Sequence, residues 1–231
     1  MRGMIAIKHC PPAEGLIATA TYYIHQGKRK LGEESIQVFE LPAHQGYHLQ
    51  SALVLQWPLP HTQRITLELD PSWRPRATQI EFHAEGRSTR ARYQIEGSQL
   101  WAALEVSGQR PLQLSCPWEE AVFDHPSALF AIALCKKSPL APGDSAPINL
   151  VRIVLPSLEP LPLRGTWARL FDHTHSFELG NFFVQEFAVT SQSRELLHIW
   201  ADEPGIPLRL ERSEQGEPMR CECVRYRLFR D

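Results

Sequence analysis

Tyr47-His48-Leu49-Gln50-Ser51-Ala52-Leu53-Val54-Leu55-Gln56-Trp57 alternates on a period of two. Tyr47, Leu49, Leu53, Leu55 and Trp57 fall on one face, with His48, Gln50 and Gln56 on the other. That is the pattern of a half-buried strand, and the neighbouring segments repeat it. Ile65, Leu67 and Leu69 alternate with Arg64, Thr66, Glu68 and Asp70; Ala91, Tyr93 and Ile95 alternate with Arg90, Arg92, Gln94 and Glu96. Further strands are predicted near 20–26, 34–40, 77–84, 99–106, 110–116, 148–155, 166–171, 182–190, 195–201, 206–212 and 219–229. One buried and one wet face per strand implies an antiparallel sheet.

One segment breaks the rhythm. Asp124-His125-Pro126-Ser127 leads into Ala128-Leu-Phe-Ala-Ile-Ala-Leu-Cys135 and then Lys136-Lys137. Asp124 or Ser127 can cap a helix of about three turns here, and Pro126 suits a first turn. The two lysines complement the negative C-terminal end, and Pro139 stops it. A helix that is apolar all round is enclosed by protein. The predicted fold is therefore mostly β: a single strongly curved antiparallel sheet, a β-roll or half-barrel, wrapped around one helix.

The whole chain, 1–231, reads as one such domain. Its halves run from about 18 to 137 and from 147 to 231, joined by the turn-rich stretch 138–146. An internal echo accompanies that division. Leu69-Asp70-Pro-Ser-Trp-Arg-Pro75 and Ala201-Asp202-Glu-Pro-Gly-Ile-Pro207 each place proline five positions after aspartate, between two predicted strands. The aspartate can satisfy turn amides, and the proline can start the returning strand where no ladder donor is needed.

Composition agrees with this architecture. The 19 prolines exceed ordinary usage of about 5% and imply many short elements with defined turns. Hydrophobic residues at 43% can build a core, and a formal net charge of −2 gives no global pull toward nucleic acid or an anionic membrane. The apolar run Met4–Ile7 is cut by Lys8 and His9, which is too short for a secretory signal, and no stretch suggests a membrane span. The five cysteines, Cys10, Cys116, Cys135, Cys221 and Cys223, are scattered and fit a reduced, cytoplasmic chain.

The order of features is also informative. A Tyr-rich opening strand is followed by Gly32-Glu33-Glu34, the Asp70 hairpin, the Asp124-x-Pro-Ser helix and Leu140-x-Pro-Gly143. Then comes Leu197-His-Ile-Trp-Ala-Asp202 with Ile206-Pro-Leu-Arg209. This order resembles bacterial proteins of unknown function related to the putative glycolipid-binding family, which are similar in fold to lipoprotein-localisation factors. The resemblance implies a curved antiparallel sheet whose concave side holds helical elements and, in some members, a lipid.

The leading expectation is a non-enzymatic binding domain that holds an apolar or amphipathic, lipid-like ligand on the concave side of the sheet. Aromatic residues suited to line such a site are Trp57, Trp101, Phe130, Trp167, Phe183 and Trp200. The alternative is a structural or protein-interaction module whose concavity is plugged by Leu129, Phe130, Ile132 and Leu134. A further alternative, a metal-dependent enzyme, rests on His173 and His175, which a strand would point to one face, with Asp172, Glu178 or His198 as a third ligand. The pair His44 and His48 would align only on a helix, where strand signals dominate.

Cys221 and Cys223 also share a strand face, but no second pair at ligand spacing accompanies them, so buried thiols are expected. There is no Gly-x-Ser-x-Gly elbow and no Gly-rich phosphate loop. Ser127 beside Asp124 and His125 reads as a helix cap rather than a triad. The basic clusters at Lys28–Lys30, Arg87–Arg92 and Arg220–Arg230 lack interleaved aromatics, so neither a nucleic-acid partner nor a cofactor is expected.

Overall fold

In a computed structural model the described residues are 15–57, 59–137, 140–191, 194–213 and 218–229. The N-terminal stretch with Cys10, the proposed stop at Pro139 and the terminal Arg230 lie outside them. The strands are β1 (Leu16–Gln26), β2 (Arg29–Glu40), β3 (Tyr47–Leu55), β4 (His61–Leu69), β5 (Pro75–Ala84), β6 (Arg87–Glu96), β7 (Gln99–Val106) and β8 (Leu112–Pro117). After β9 (Val122–Asp124) and the helix α1 (Ala128–Lys137) come β10 (Ser145–Val154), β11 (Glu159–Phe177) and β12 (Gly180–Ser191). The series ends with β13 (Arg194–Ala201), β14 (Pro207–Arg212) and β15 (Met219–Leu228).

All the strands belong to one sheet in the order β8-β7-β6-β5-β4-β3-β2-β1-β15-β14-β13-β12-β11-β10-β9. The protein is thus mostly β, with one large curved sheet that does not close and one α-helix among the described residues. Alternation sets the inward face: Leu49, Leu53, Leu55, Ile65, Leu67, Leu69, Ala91 and Tyr93 are all buried. One strand reading changes and one strand is new. The strand predicted near 166–171 runs on through Asp172–Ser176 within the 19-residue β11, and β9, only three residues long, pairs in parallel with β10.

The helix fills the roll. Ala128 through Leu134 are each at most 5% exposed, and burying Leu129, Phe130, Ile132 and Leu134 contributes roughly 6–12 kcal/mol at about 1.5–3 kcal/mol per side chain. Ser127 is the cap, its Oγ accepting the Leu129 N–H at 3.2 Å. Asp124 instead ties two arginines together, since its carboxylate accepts from Arg152 Nε and from Arg212 Nη1, each at 2.7 Å.

The two Asp–Pro segments form the same turn. Asp70 N–H donates to Arg74 O (2.9 Å), Trp73 N–H to Asp70 O (3.0 Å), and Arg74 N–H to Asp70 Oδ1 (2.9 Å). Asp202 N–H donates to Ile206 O (3.0 Å), Gly205 N–H to Asp202 O (2.8 Å), and Ile206 N–H to Asp202 Oδ1 (2.7 Å). The fourth residue is left-handed in both, Trp73 at φ 61° and Gly205 at φ 81°. Trp73 holds this costly conformation while stacked on Tyr47, ring centroids 3.9 Å apart. The C-terminal end of α1 sits at both turns: Lys136 Nζ lies 5.7 Å from the Trp73 ring, and its Cε would be 3.0 Å from any Cβ at Gly205.

Side chains hold the gap between the two ends of the sheet where no ladder does. Tyr93 on β6 donates its hydroxyl to Leu158 O in the β10–β11 turn, and Asn149 Nδ2 donates to Glu119 O at 3.0 Å.

Candidate functional site

The concave side is a core. Phe130 is 4% exposed and Trp167 is 1% exposed, its indole stacked on Phe187 at 4.7 Å with 7° between planes. Between α1 and the strands around it, among the described residues, lie two voids of about 10 Å³ each. A void that size holds one water at most. The helix occupies that space: Phe130, on α1, packs against Phe123 and His125, and Trp167 packs against Phe187.

The other four aromatic residues point outward and do not meet. Trp57 lies past the end of β3 with the Arg29 guanidinium 5.0 Å over its ring. Phe183, near the β11–β12 turn, is 59% exposed. Trp200 belongs to a histidine-rich cluster, and Trp101 stands in a depression of the outer face.

That depression has a simple cause in the register. One outer row across β4–β8 reads Glu68, Ala77, Gln94, Trp101, Ser115; the next reads Thr66, Gln79, Arg92, Ala103, Gln113. Ala77 and Ala103 are short where their neighbours are long, and the missing side chains leave a recess of about 450 Å³. This volume falls within the usual range of small-molecule sites, roughly 300–1,000 Å³. Trp101 is 50% exposed. Among the described residues its indole has no ring contact, and Arg92, Gln94 and Gln113 make no side-chain hydrogen bond. An unstacked ring beside unengaged amides and a guanidinium can take a ligand with one flat apolar face and a polar edge.

The second outer cluster is built by β11–β15. His173 and His175 do share a face, as the spacing predicts, but the carboxylate between them and β13 is Glu186, a residue the sequence did not single out. Glu186 lies 3.5 Å from His173 Nδ1 and 2.6 Å from His198 Nε2. His198 stacks on Trp200 at 4.0 Å, and Arg209 Nη1 approaches His175 Nε2 at 3.3 Å while Nη2 donates to Glu222 at 3.1 Å. Burial and then the Arg209 charge lower the His175 pKa, which keeps its Nε2 free to accept. No group among the described residues has the arrangement to hold a metal ion.

Buried polar chemistry is structural. Glu34 on β2 accepts from Ser51 Oγ (2.5 Å), from Ser127 Oγ and from the Ala128 N–H (2.9 Å). Burial raises its pKa and the three hydrogen bonds only partly offset this. The Cys221 and Cys223 thiols are buried and pushed up to about 12, so both are protonated and inert at neutral pH.

No protein-family model and no curated protein sequence matches this chain. It is similar in structure to a beta-barrel-like protein of the domain of unknown function DUF1849 from Brucella abortus, with 11% identity and a TM-score of 0.59. That likeness covers 94% of this chain and 99% of the other. A DUF1089 family protein from Pseudomonas aeruginosa has 16% identity and a TM-score of 0.46 over 81% of this chain and 87% of the other. The first likeness is one of fold: a beta-barrel-like architecture whose function is unknown. No helix among the described residues is long and apolar enough to cross a membrane.

Proposed function

We propose that this chain is a non-enzymatic binding protein that takes its ligand on the outer face of β4–β8, the filled interior serving as its structural core. One contrast supports this reading: about 450 Å³ of recess outside against voids of about 10 Å³ inside. The ligand is amphipathic in a local sense. One flat face lies on Trp101, and hydroxyl or amide groups at its edge bond to Gln94 and Gln113. A sugar ring has those two properties, and a sugar-bearing lipid recognised through its headgroup fits the resemblance to the putative glycolipid-binding family. The acyl chains would then remain outside the roll.

Saturation-transfer NMR with a panel of monosaccharides and disaccharides tests this, run on the natural chain and on W101A. Trp101 is half exposed and stacks on no other ring among the described residues, so the variant should fold and lose at most about 1 kcal/mol. The expected result is saturation transfer to sugar ring protons that W101A removes. Stoichiometric acyl-chain species retained by the purified protein and released only on unfolding would instead return the ligand to the interior and overturn the reading.

A further inference from the structure

The outer rows of the sheet differ sharply in charge balance. The row adjoining the recess reads Arg64, Glu81, Arg90, Glu105, so its charges alternate and compensate along the sheet. Within it Arg90 is engaged, with Nη2 2.8 Å and Nε 3.0 Å from Glu81 Oε1. The next row carries a single charge. Arg92 stands between Gln79 and Ala103, and among the described residues it has no ion-pair partner. The other charged residue lining the recess is Glu68, on β4 and in the other row. It lies two strands from Arg92, roughly 10 Å or more at about 4.8 Å per strand, beyond the screening length of about 8 Å at physiological salt.

Geometry adds a second constraint. Arg92 and Trp101 occupy diagonal positions on the paired strands β6 and β7, since Arg92 faces Ala103 and Trp101 faces Gln94. Diagonal neighbours stand roughly 7–8 Å apart. The residue directly opposite Arg92 is the short Ala103, and its diagonal neighbours on β7 are Trp101 on one side and Glu105, which faces Arg90, on the other. A ring stacked on the indole can therefore carry a substituent to the Arg92 fork, which suits the two oxygens of a carboxylate.

We propose that the recess is selective for a ring that bears a carboxylate, with a hexuronic acid as the fitting saccharide. This inference rests on the outer-face reading and adds the charge of the ligand to it. Trp101 holds the ring, Arg92 takes the carboxylate bidentately, and Gln94 and Gln113 bond the hydroxyls. The preference should weaken as salt rises, because an exposed ion pair is screened.

The test compares galacturonate and glucuronate with galactose and glucose, titrated at low ionic strength into the natural chain, R92Q and W101A. The acids are expected to bind the natural chain about tenfold or more tightly than the neutral sugars. R92Q should bring acid and neutral sugar to equal affinity, and W101A should lose both. R92K, which keeps charge without the planar fork, should restore only part of the preference. Equal affinity for acid and neutral sugar in the natural chain, unchanged in R92Q, would overturn the charge preference and leave the outer-face reading standing. Absence of any W101A-sensitive binding across the panel would overturn both.

Discussion

Glu34 and Ser127 are 93 positions apart and share a buried hydrogen bond. The same carboxylate also receives Ser51 and the first helical N–H, that of Ala128. The carboxyl group thus sits at the N-terminal end of the helix that fills the roll, and β2, β3 and α1 meet at one side chain.

Removing that side chain should loosen the helix from the sheet. E34A leaves three buried donors without an acceptor and should cost about 3 kcal/mol or more at about 1–3 kcal/mol per unsatisfied group. E34Q keeps one acceptor oxygen in nearly the same volume and should cost clearly less. Urea unfolding midpoints of the two variants give the comparison, and equal losses would mean that volume rather than hydrogen bonding anchors the helix.

Asp124 lies between two arginines of unequal burial: the Arg212 side chain is 11% exposed and the Arg152 side chain 37%. D124N strands the Arg212 charge inside the protein and should cost about 3–5 kcal/mol. R152Q removes the more exposed partner and should cost at most about 1 kcal/mol. Chemical denaturation of each variant checks the asymmetry; a larger loss for R152Q would show that the solvent-facing pair is the stronger one.

Gly32 is required by a close backbone approach, since a Cβ there would lie 2.1 Å from Val54 O on the neighbouring strand. G32A should fail to fold or lose several kcal/mol, because backbone cannot yield as a flexible side chain can. By contrast, a Cβ at Gly86 meets nothing within 4 Å, and only its φ of +74° resists substitution. G86A should therefore cost about 1–2 kcal/mol. Soluble expression and thermal melting separate the two.

His125 gives a pH dependence of definite sign. Burial, then the nearby Arg212, lowers its pKa from 6.5 to about 3. Its Nδ1 accepts the Ser127 N–H at 3.2 Å, which places the proton on Nε2. Below pH 6.5 the unfolded chain binds a proton that the folded chain refuses. Stability from this residue is complete above that pH and is lost as pH falls toward 3. Between those values the natural chain should lose up to about 1.4 kcal/mol per pH unit more than H125Q does. Parallel acid limbs for the two proteins would show that His125 is not held neutral.

Much of the architecture was legible because strand alternation and an all-apolar helix are local consequences of which face is buried. The alternations around Leu49, Leu67 and Tyr93 hold in the structure, and so does the enclosure of Ala128–Leu134. The recurrence of Asp70 and Asp202 likewise marks two turns with the same hydrogen bonds, because each turn is closed within five residues of its aspartate. The outer recess had no such signal. Ala77 and Ala103 are unremarkable in their own strands; they make a hollow only when register places them in adjacent rows beside Trp101 and Arg92.

The tyrosine-to-tryptophan stretch that begins at Tyr47 illustrates the division. By itself it determined a strand and its buried face, since a two-residue repeat leaves the backbone no other way to bury Leu49, Leu53 and Leu55 together. It could not say that Ser51, on that same face, is buried to meet Glu34, or that Trp57 falls past the strand's end. Those outcomes, the filling of the roll and the move of the recess to its outer face were decided by tertiary structure. Packing volume and cross-strand register depend on residues far apart in the chain, and only folding brings them to one place.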